Sequence, residues 1–157
     1  MELIGRTTIN PFLFYSGKLA GYITWIILLL LLININVIEV YTLVYNKYIA
    51  FITLALGLIT FIISLMYLGS STRLGLPTDN TELKTNGIYR LSRNLMYLGF
   101  NLLTISSIIY TLHILIIILG FYSIIIYHLI ILGEEKYLSN RFGDAFKYYK
   151  GTVRRYI

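Results

Sequence analysis

The longest uncharged stretch of the sequence runs from Leu95 to Leu132 and holds about 38 residues. As an α-helix it would measure roughly 57 Å, whereas the hydrocarbon core of a bilayer is about 30 Å thick. The stretch is therefore too long for one crossing and long enough for two. Polar residues from Tyr110 to His113 mark the reversal. We predict a tight hairpin of helix three, Leu95 to about Tyr110, and helix four, about Leu112 to Leu132.

Two further apolar segments precede this hairpin. Neither Leu19 to Ile38 nor Tyr48 to Gly69 contains a charged residue, and each is long enough to predict a spanning helix. The chain is 57% hydrophobic and 13% charged, with a mean hydropathy of +0.75, which is far more apolar than a soluble domain. We therefore expect an all-α integral membrane protein with four transmembrane helices, forming one domain over residues 1–157.

The distribution of lysine and arginine predicts the orientation in the membrane. Of the 13 such residues, all except Lys47 lie near the N-terminus, between helices two and three, or after helix four. In this interpretation Lys18 lies just before helix one. The positive-inside rule then puts both termini and the loop from Ser70 to Asn94 in the cytoplasm. Membrane anchoring also explains the net charge of +6 without nucleic-acid binding.

The residues after Leu132 are predicted to form an amphipathic cytoplasmic tail, because apolar residues recur there at helical spacing. Gly143 is expected to interrupt this tail helix. The abundance of Ile, Asn, Lys and Tyr is typical of an AT-rich genome and points to a prokaryotic cell membrane. The chain has no cysteine and only two histidines, His113 and His128, so we predict no metal site.

Several polar residues crowd the start of helix three. Arg93 and Tyr97 are four positions apart and share a helix face if the helix has begun by Arg93. Asn94 lies beside them, and Arg90 precedes them by one turn, next to Tyr89. Interfacial anchoring explains the arginines and the tyrosines, with Asn94 as a helix cap. A functional site is the alternative.

A pair of carboxylates, Glu134 and Glu135, follows helix four directly. Anchoring does not require them, because like charges repel and cations suit a helix C-terminus better. The hairpin would bring them alongside Arg93 and Asn94, either as a surface ion pair or as a site. His128, about six residues inside this end of the helix, is an ionisable group within the membrane boundary. It is either functional or hydrogen-bonded between helices.

These segments resemble a known superfamily. "GIYRLSRNLMYLG" (87–99) followed by "GEEKYLSNRFGDAFKYYKGTVRR" (133–155) is similar to the isoprenylcysteine carboxyl methyltransferases and phospholipid methyltransferases of membranes. The resemblance covers the motif-bearing part, residues 83–155, and departs at Leu95, where the family usually has proline. The matching residues are Arg93, Asn94, Tyr97, Gly99, Glu134 and Glu135.

The resemblance implies methyl transfer from S-adenosylmethionine to a lipid-like or isoprenoid-like acceptor, a carboxylate or an amine, at the cytoplasmic membrane boundary. It implies Arg93, Asn94, Glu134 and Glu135 as catalytic residues. Tyr89, Arg93, Asn94, Tyr97, Gly99 and Glu134 would bind the cofactor. Glu134 would hold a cationic part of it and Arg93 its carboxylate, while Tyr97 or Tyr89 would stack on it or face the sulfonium. An amine acceptor needs a base, for which Glu135 or His128 is the candidate.

Two other functions remain open. Sterol-type membrane reductases, which use a nicotinamide cofactor, have a similar C-terminal part, but they are generally longer. A non-catalytic membrane subunit would bind neither cofactor, and the replacement of proline by Leu95 favours this alternative.

Overall fold

The computed structural model describes residues 7–68 and 83–157. These residues form four α-helices and no β-strand: α1 (Pro11–Leu32), α2 (Asn46–Leu68), α3 (Leu95–Thr111) and α4 (Ile114–Thr152). Helices α1, α2 and α4 are each long and apolar enough to cross a membrane, while α3 is apolar and has 17 residues. The prediction of an all-helical membrane protein is thereby confirmed. Most of the predicted Ser70 to Asn94 loop lies outside the described residues.

The predicted bounds of the first helix were wrong, because α1 begins eight residues earlier and ends six residues earlier. Asn10 caps its start, with the side-chain oxygen accepting a hydrogen bond from the Phe12 N–H at 2.9 Å. Pro11 occupies a first-turn position, where proline is well tolerated. At the other end Asn34 adopts a left-handed conformation with φ 64°. Lys18 consequently lies inside the helix instead of before it.

Helix α1 packs closely against α4 through two glycines one turn apart. A Cβ atom added to Gly17 would lie 2.3 Å from Cγ2 of Ile126, and one added to Gly21 would lie 2.6 Å from Oγ of Ser123. Small residues at i and i+4 allow membrane helices to approach this closely. Trp25 joins α1 to α3 by donating its indole N–H to Oγ1 of Thr104 at 2.9 Å.

Helix α2 lies against α3, again at glycines. A Cβ atom on Gly57 would lie 3.0 Å from the backbone nitrogen of Leu103, and one on Gly99 would lie 2.9 Å from that of Phe61. The Ser106 hydroxyl donates to the carbonyl of Ala50 at 2.8 Å. Gly99 therefore allows α2 and α3 to approach closely, and its predicted role in cofactor binding stays a prediction.

Helices α3 and α4 form the predicted hairpin. Helix α3 ends at Thr111, Leu112 turns the chain with φ 47°, and the His113 side chain caps α4 by accepting from the N–H of Leu115. At the far end of the hairpin the rings of Tyr97 and Tyr127 lie 5.7 Å apart. The start of α3 thus lies beside the part of α4 that leads to the carboxylate pair.

Helix α4 does not end at Leu132 as predicted but continues through the tail to Thr152. The interruption at Gly143 is present, with φ 51° and ψ −123°. Beyond this kink Phe146 and Tyr149 are buried. The Tyr149 hydroxyl donates to the carbonyl of Tyr89 at 2.7 Å, so the end of the chain returns to the segment that precedes α3.

Candidate active site

Glu135 is the centre of a charged cluster at the open end of the hairpin, away from the turn at Leu112. Its Oε1 atom accepts hydrogen bonds from Nη2 of Arg93 at 2.8 Å, Nε of Arg155 at 3.1 Å and Nδ2 of Asn94 at 3.4 Å. Its Oε2 atom accepts from Nη2 of Arg155 at 2.9 Å. The side chains of Glu135 and Arg93 are only 6% and 7% exposed, whereas that of Arg155 is 31% exposed. One buried carboxylate therefore faces two guanidinium groups.

The same cluster holds the C-terminal segment against the chain before α3. The Arg93 N–H donates to the carbonyl of Arg154 at 3.1 Å, and the Ser92 hydroxyl donates to that of Arg155 at 3.1 Å. The Arg93 guanidinium also donates through Nη1 to the carbonyls of Lys150 and Val153. Both terminal nitrogens of Arg93 are thus engaged by the protein itself.

The backbone before α3 explains this geometry. Helix α3 begins at Leu95, as predicted, so the condition under which Arg93 and Tyr97 would share a helix face is not met. Asn94 occupies the N-cap position with φ −126° and ψ 43°, but its side chain makes no capping hydrogen bond. Its amide instead donates to Glu135 and, at 3.2 Å, to the carbonyl of Arg155. The interpretation of Asn94 as a simple helix cap is therefore wrong.

Glu134 has a different environment from its neighbour. Its Oε1 atom accepts a hydrogen bond from the buried hydroxyl of Tyr97 at 2.6 Å. Among residues 7–68 and 83–157, no lysine or arginine nitrogen lies within 4 Å of this carboxylate, although Lys18 attracts it from a greater distance. The two adjacent carboxylates therefore differ in charge compensation. Glu135 is neutralised by an ion-pair network, whereas Glu134 is not.

The remaining predicted residues lie around this cluster. Tyr89 is buried, and its hydroxyl forms a hydrogen bond with Oγ of Ser64 at 2.8 Å. Burial raises the pKa of Tyr89 above its ordinary value. Nδ1 of His128 is hydrogen-bonded to the hydroxyl of Tyr156 at 2.7 Å, which links the histidine to the C-terminal segment and not to another helix.

Two residues of this region were not among the sequence-predicted site residues. Arg155 contributes two of the hydrogen bonds to Glu135, and that contact raises the pKa of Arg155 above its ordinary value. Nothing in the spacing of the tail distinguishes this arginine from its neighbour Arg154. Lys18 on α1 was interpreted as a flanking anchor, although Asn10 and Pro11, earlier in the sequence, signal a helix that begins before it.

The donor set fits part of a cofactor that carries an ammonium, a sulfonium and a carboxylate. Glu134 has one oxygen, Oε2, that accepts no hydrogen bond from the described residues, and so it has capacity for a cationic group. Both terminal nitrogens of Arg93 donate to acceptors of the protein, while its Nε is buried without a partner in the part of the chain that the structure covers. Of the two carboxylates, Glu134 is thus the one with an oxygen that remains open in the described structure.

Comparison with known proteins identifies the class to which this fold and site belong. A family model described as phospholipid methyltransferase matches residues 45–145, which is well over half of the chain. The chain belongs to the phospholipid methyltransferase family, within the superfamily that also contains the isoprenylcysteine carboxyl methyltransferases. The matched region includes α2, the hairpin and both carboxylates, whereas α1 precedes it. No curated protein and no solved structure matches the chain.

Proposed function

We propose that this chain catalyses S-adenosylmethionine-dependent methyl transfer to a lipid-like acceptor at the cytoplasmic boundary of the membrane. The observation that supports the proposal is the division between the two carboxylates. Glu135 is bound by Arg93 and Arg155, while Glu134 has an open oxygen next to the hairpin. Membership of a methyltransferase family supplies the reaction class.

S-adenosylmethionine, when bound, supplies an electrophilic methyl group carried on a sulfonium. The chain's contribution is positioning and exclusion of water, which can be worth effective molarities of about 10⁵–10⁸ M. Glu134 is the residue we assign to a cationic group, and the Tyr97 hydroxyl fixes its orientation. Arg93, Asn94 and Arg155 act as positioning residues, because they lock the C-terminal segment against the start of the hairpin.

The acceptor can be an amine or a carboxylate. A carboxylate is already ionised at neutral pH, whereas an ammonium must lose a proton before it can act as a nucleophile. Glu135 was one predicted base, but four hydrogen bonds from Arg93, Asn94 and Arg155 already occupy it. Because the open oxygen of Glu134 is assigned to a cationic group, His128 is the remaining candidate for the base that takes the proton of an amine acceptor.

The proposed topology has four crossings with both termini in the cytoplasm. The distribution of basic residues supports it, since Lys47 at the start of α2 is the exception to an otherwise one-sided pattern. Helix α3 has 17 residues, which is at the lower end of the length that crosses a bilayer. A water-soluble cofactor would then reach Glu134 from the cytoplasm, while the lipid arrives from the bilayer.

Thermal unfolding of the detergent-solubilised protein with S-adenosylhomocysteine tests the proposal. A ligand present at 100 times its dissociation constant stabilises a protein by about 2.7 kcal/mol. We expect stabilisation of the parent protein and loss of that stabilisation in Glu134→Gln. Stabilisation by a reduced nicotinamide cofactor instead would indicate a reductase. A parent protein that responds to neither ligand would indicate a non-catalytic subunit.

A further inference from the structure

The last residues of the chain return to α4 and contact His128. The Tyr156 hydroxyl lies 2.7 Å from Nδ1 of the imidazole, and the two rings stack with their planes 27° apart and their centroids 6.1 Å apart. Nε2 of the same imidazole forms no hydrogen bond with the residues that the structure describes. One ring nitrogen of His128 is therefore held by the protein, while the other is open.

Tyr156 is held in place by the residue that precedes it. The Arg155 guanidinium donates to Glu135 at 3.1 and 2.9 Å, and the Arg155 carbonyl accepts from the Ser92 hydroxyl at 3.1 Å. Glu135 follows His128 by seven positions on α4, so the two residues lie on the same face of the helix, two turns apart. The ion pair at Glu135 thus fixes the backbone that carries Tyr156 along this face.

His128 lies on the bilayer side of the carboxylate assigned to a cationic group. It precedes Glu134 by six positions, or about 9 Å along the axis of α4. Tyr156 packs against the buried cluster that contains Tyr97, and the Tyr97 hydroxyl donates to Glu134. In the proposed function the cofactor reaches Glu134 from the cytoplasm and the acceptor arrives from the bilayer. The acceptor is therefore on the side of the cofactor where His128 lies.

We propose that Tyr156 is a positioning residue, which orients His128 so that Nε2 of the imidazole takes the proton of an amine acceptor. The inference rests on the proposed function, because it names the atom that acts as the base and the residue that orients it. Nε2 of a neutral imidazole accepts a proton only when Nδ1 carries the ring hydrogen. In this arrangement Nδ1–H donates to the Tyr156 oxygen, and the lone pair of Nε2 is free.

The proton and the electron pairs balance in this scheme. The ammonium of the acceptor gives one proton to Nε2, which leaves a neutral amine and an imidazolium on His128. The imidazolium is stabilised because Nδ1–H stays hydrogen-bonded to Tyr156. The amine nitrogen then forms its bond to the methyl group as the bond from that carbon to sulfur breaks, and the electron pair of the broken bond stays on sulfur. The methylated product carries the positive charge, and the imidazolium releases its proton to water.

Nitrogen NMR of the two histidines tests this orientation without any substrate. The full chain is labelled with ¹⁵N-histidine, its neutral imidazole rings are observed in detergent, and a His128→Gln variant assigns the signals. His113 is the internal reference, because its Nδ1 accepts from the N–H of Leu115 and its hydrogen is therefore on Nε2. We expect the opposite tautomer for His128. Tyr156→Phe keeps the stacked ring but removes the hydroxyl, so His128 should then adopt the tautomer of His113.

Methyl transfer from S-adenosylmethionine to short-chain phosphatidylethanolamine, used as the probe amine, is measured in parallel. Tyr156→Phe should lower kcat by up to about 10²- to 10⁴-fold, which is the contribution of general base catalysis. The KM for the probe should not change, because Tyr156 does not touch the acceptor. Tyr148→Phe is the matched control, since this tyrosine lies on the same tail and is 77% exposed. It should leave the spectrum of His128 and the activity unchanged.

Hydrogen on Nε2 of His128 in the parent protein would overturn the inference, as would an unchanged kcat in Tyr156→Phe. A loss of activity that Tyr148→Phe shares would also overturn it, because the Tyr156 hydroxyl would not be the cause. Stabilisation by S-adenosylhomocysteine separates this inference from the proposed function. If the parent is stabilised but does not methylate the amine, the base is wrongly assigned. If the parent is not stabilised, the proposed function itself fails.

Discussion

Replacing Glu135 with glutamine should destabilise the protein far more than the same change at Glu134. The substitution keeps the shape of the side chain but removes the negative charge between two guanidinium groups. Arg93 would then remain buried, with a side chain only 7% exposed, beside a neutral amide. Its other hydrogen bonds, to the carbonyls of Lys150 and Val153, do not neutralise it.

The magnitude follows from burial. Removing one partner of a buried ion pair typically costs about 3–5 kcal/mol, because an uncompensated charge is left behind. Arg155 is 31% exposed and can be solvated after the change, which favours the lower end of that range. A cost of about 3 kcal/mol corresponds to a decrease of roughly 6–12 °C in the unfolding midpoint of a chain of this size.

Glu134→Gln is the matched comparison. Glu134 forms no ion pair within 4 Å in the described part of the chain, and the contact at risk is the hydrogen bond from Tyr97. Its loss should cost about 1 kcal/mol, or roughly 2–4 °C. Unfolding is followed by intrinsic fluorescence in detergent, and proteolysis of the C-terminal segment reports whether Glu135→Gln has released residues 150–155.

Two results would refute this reasoning. An unchanged midpoint in Glu135→Gln would mean that the ion-pair network contributes nothing to stability. Equal destabilisation by both variants would remove the division between a structural carboxylate and a binding one. The proposal for Glu134 would then lose the observation that supports it.

Three further predictions concern the helices. Gly99→Ala should destabilise the protein by about 1–3 kcal/mol in thermal unfolding, since the added methyl group would lie 2.9 Å from the backbone nitrogen of Phe61; an unchanged midpoint would show that α2 moves freely. Leu95→Pro should cost about 1–3 kcal/mol in the same assay, because a residue before proline avoids ψ near 43°, and a gain in stability would contradict this. Reporter fusions should place His113 outside and Ile157 inside the cell, and an inside signal at His113 would exclude the four-crossing topology.

The hairpin is the part of the site that the sequence determined. The uncharged run from Leu95 to Leu132 is too long to cross a bilayer once and long enough to cross it twice. The polar residues near the centre of the run mark the turn between the two crossings. Once the hairpin is given, the start of α3 and the residues after Leu132 must be neighbours. That is why Arg93, Asn94, Tyr97 and the two glutamates were found together from sequence.

The sequence also contains local signals for the true start of the first helix. The prediction nevertheless began the helix after Lys18, because a charged residue was expected to lie outside the apolar segment. Asn10 and Pro11 mark a helix start, and Gly17 and Gly21 mark a packing face. A lysine on that face was interpreted as an interfacial anchor, because hydropathy alone cannot distinguish an anchor from a lysine that is buried against a neighbouring helix. The position of α4 against α1 decides between them.

Only the tertiary structure decided how the individual side chains are used. Glu135 is bonded to Arg155, 20 residues away, and to Arg93, 42 residues away, while its neighbour Glu134 is bonded to Tyr97. Gly99 lies against α2, a contact that the motif did not indicate. Helical periodicity fixes which residues share a face, but which neighbour they meet depends on how far α4 continues and where its kink at Gly143 directs the end of the chain.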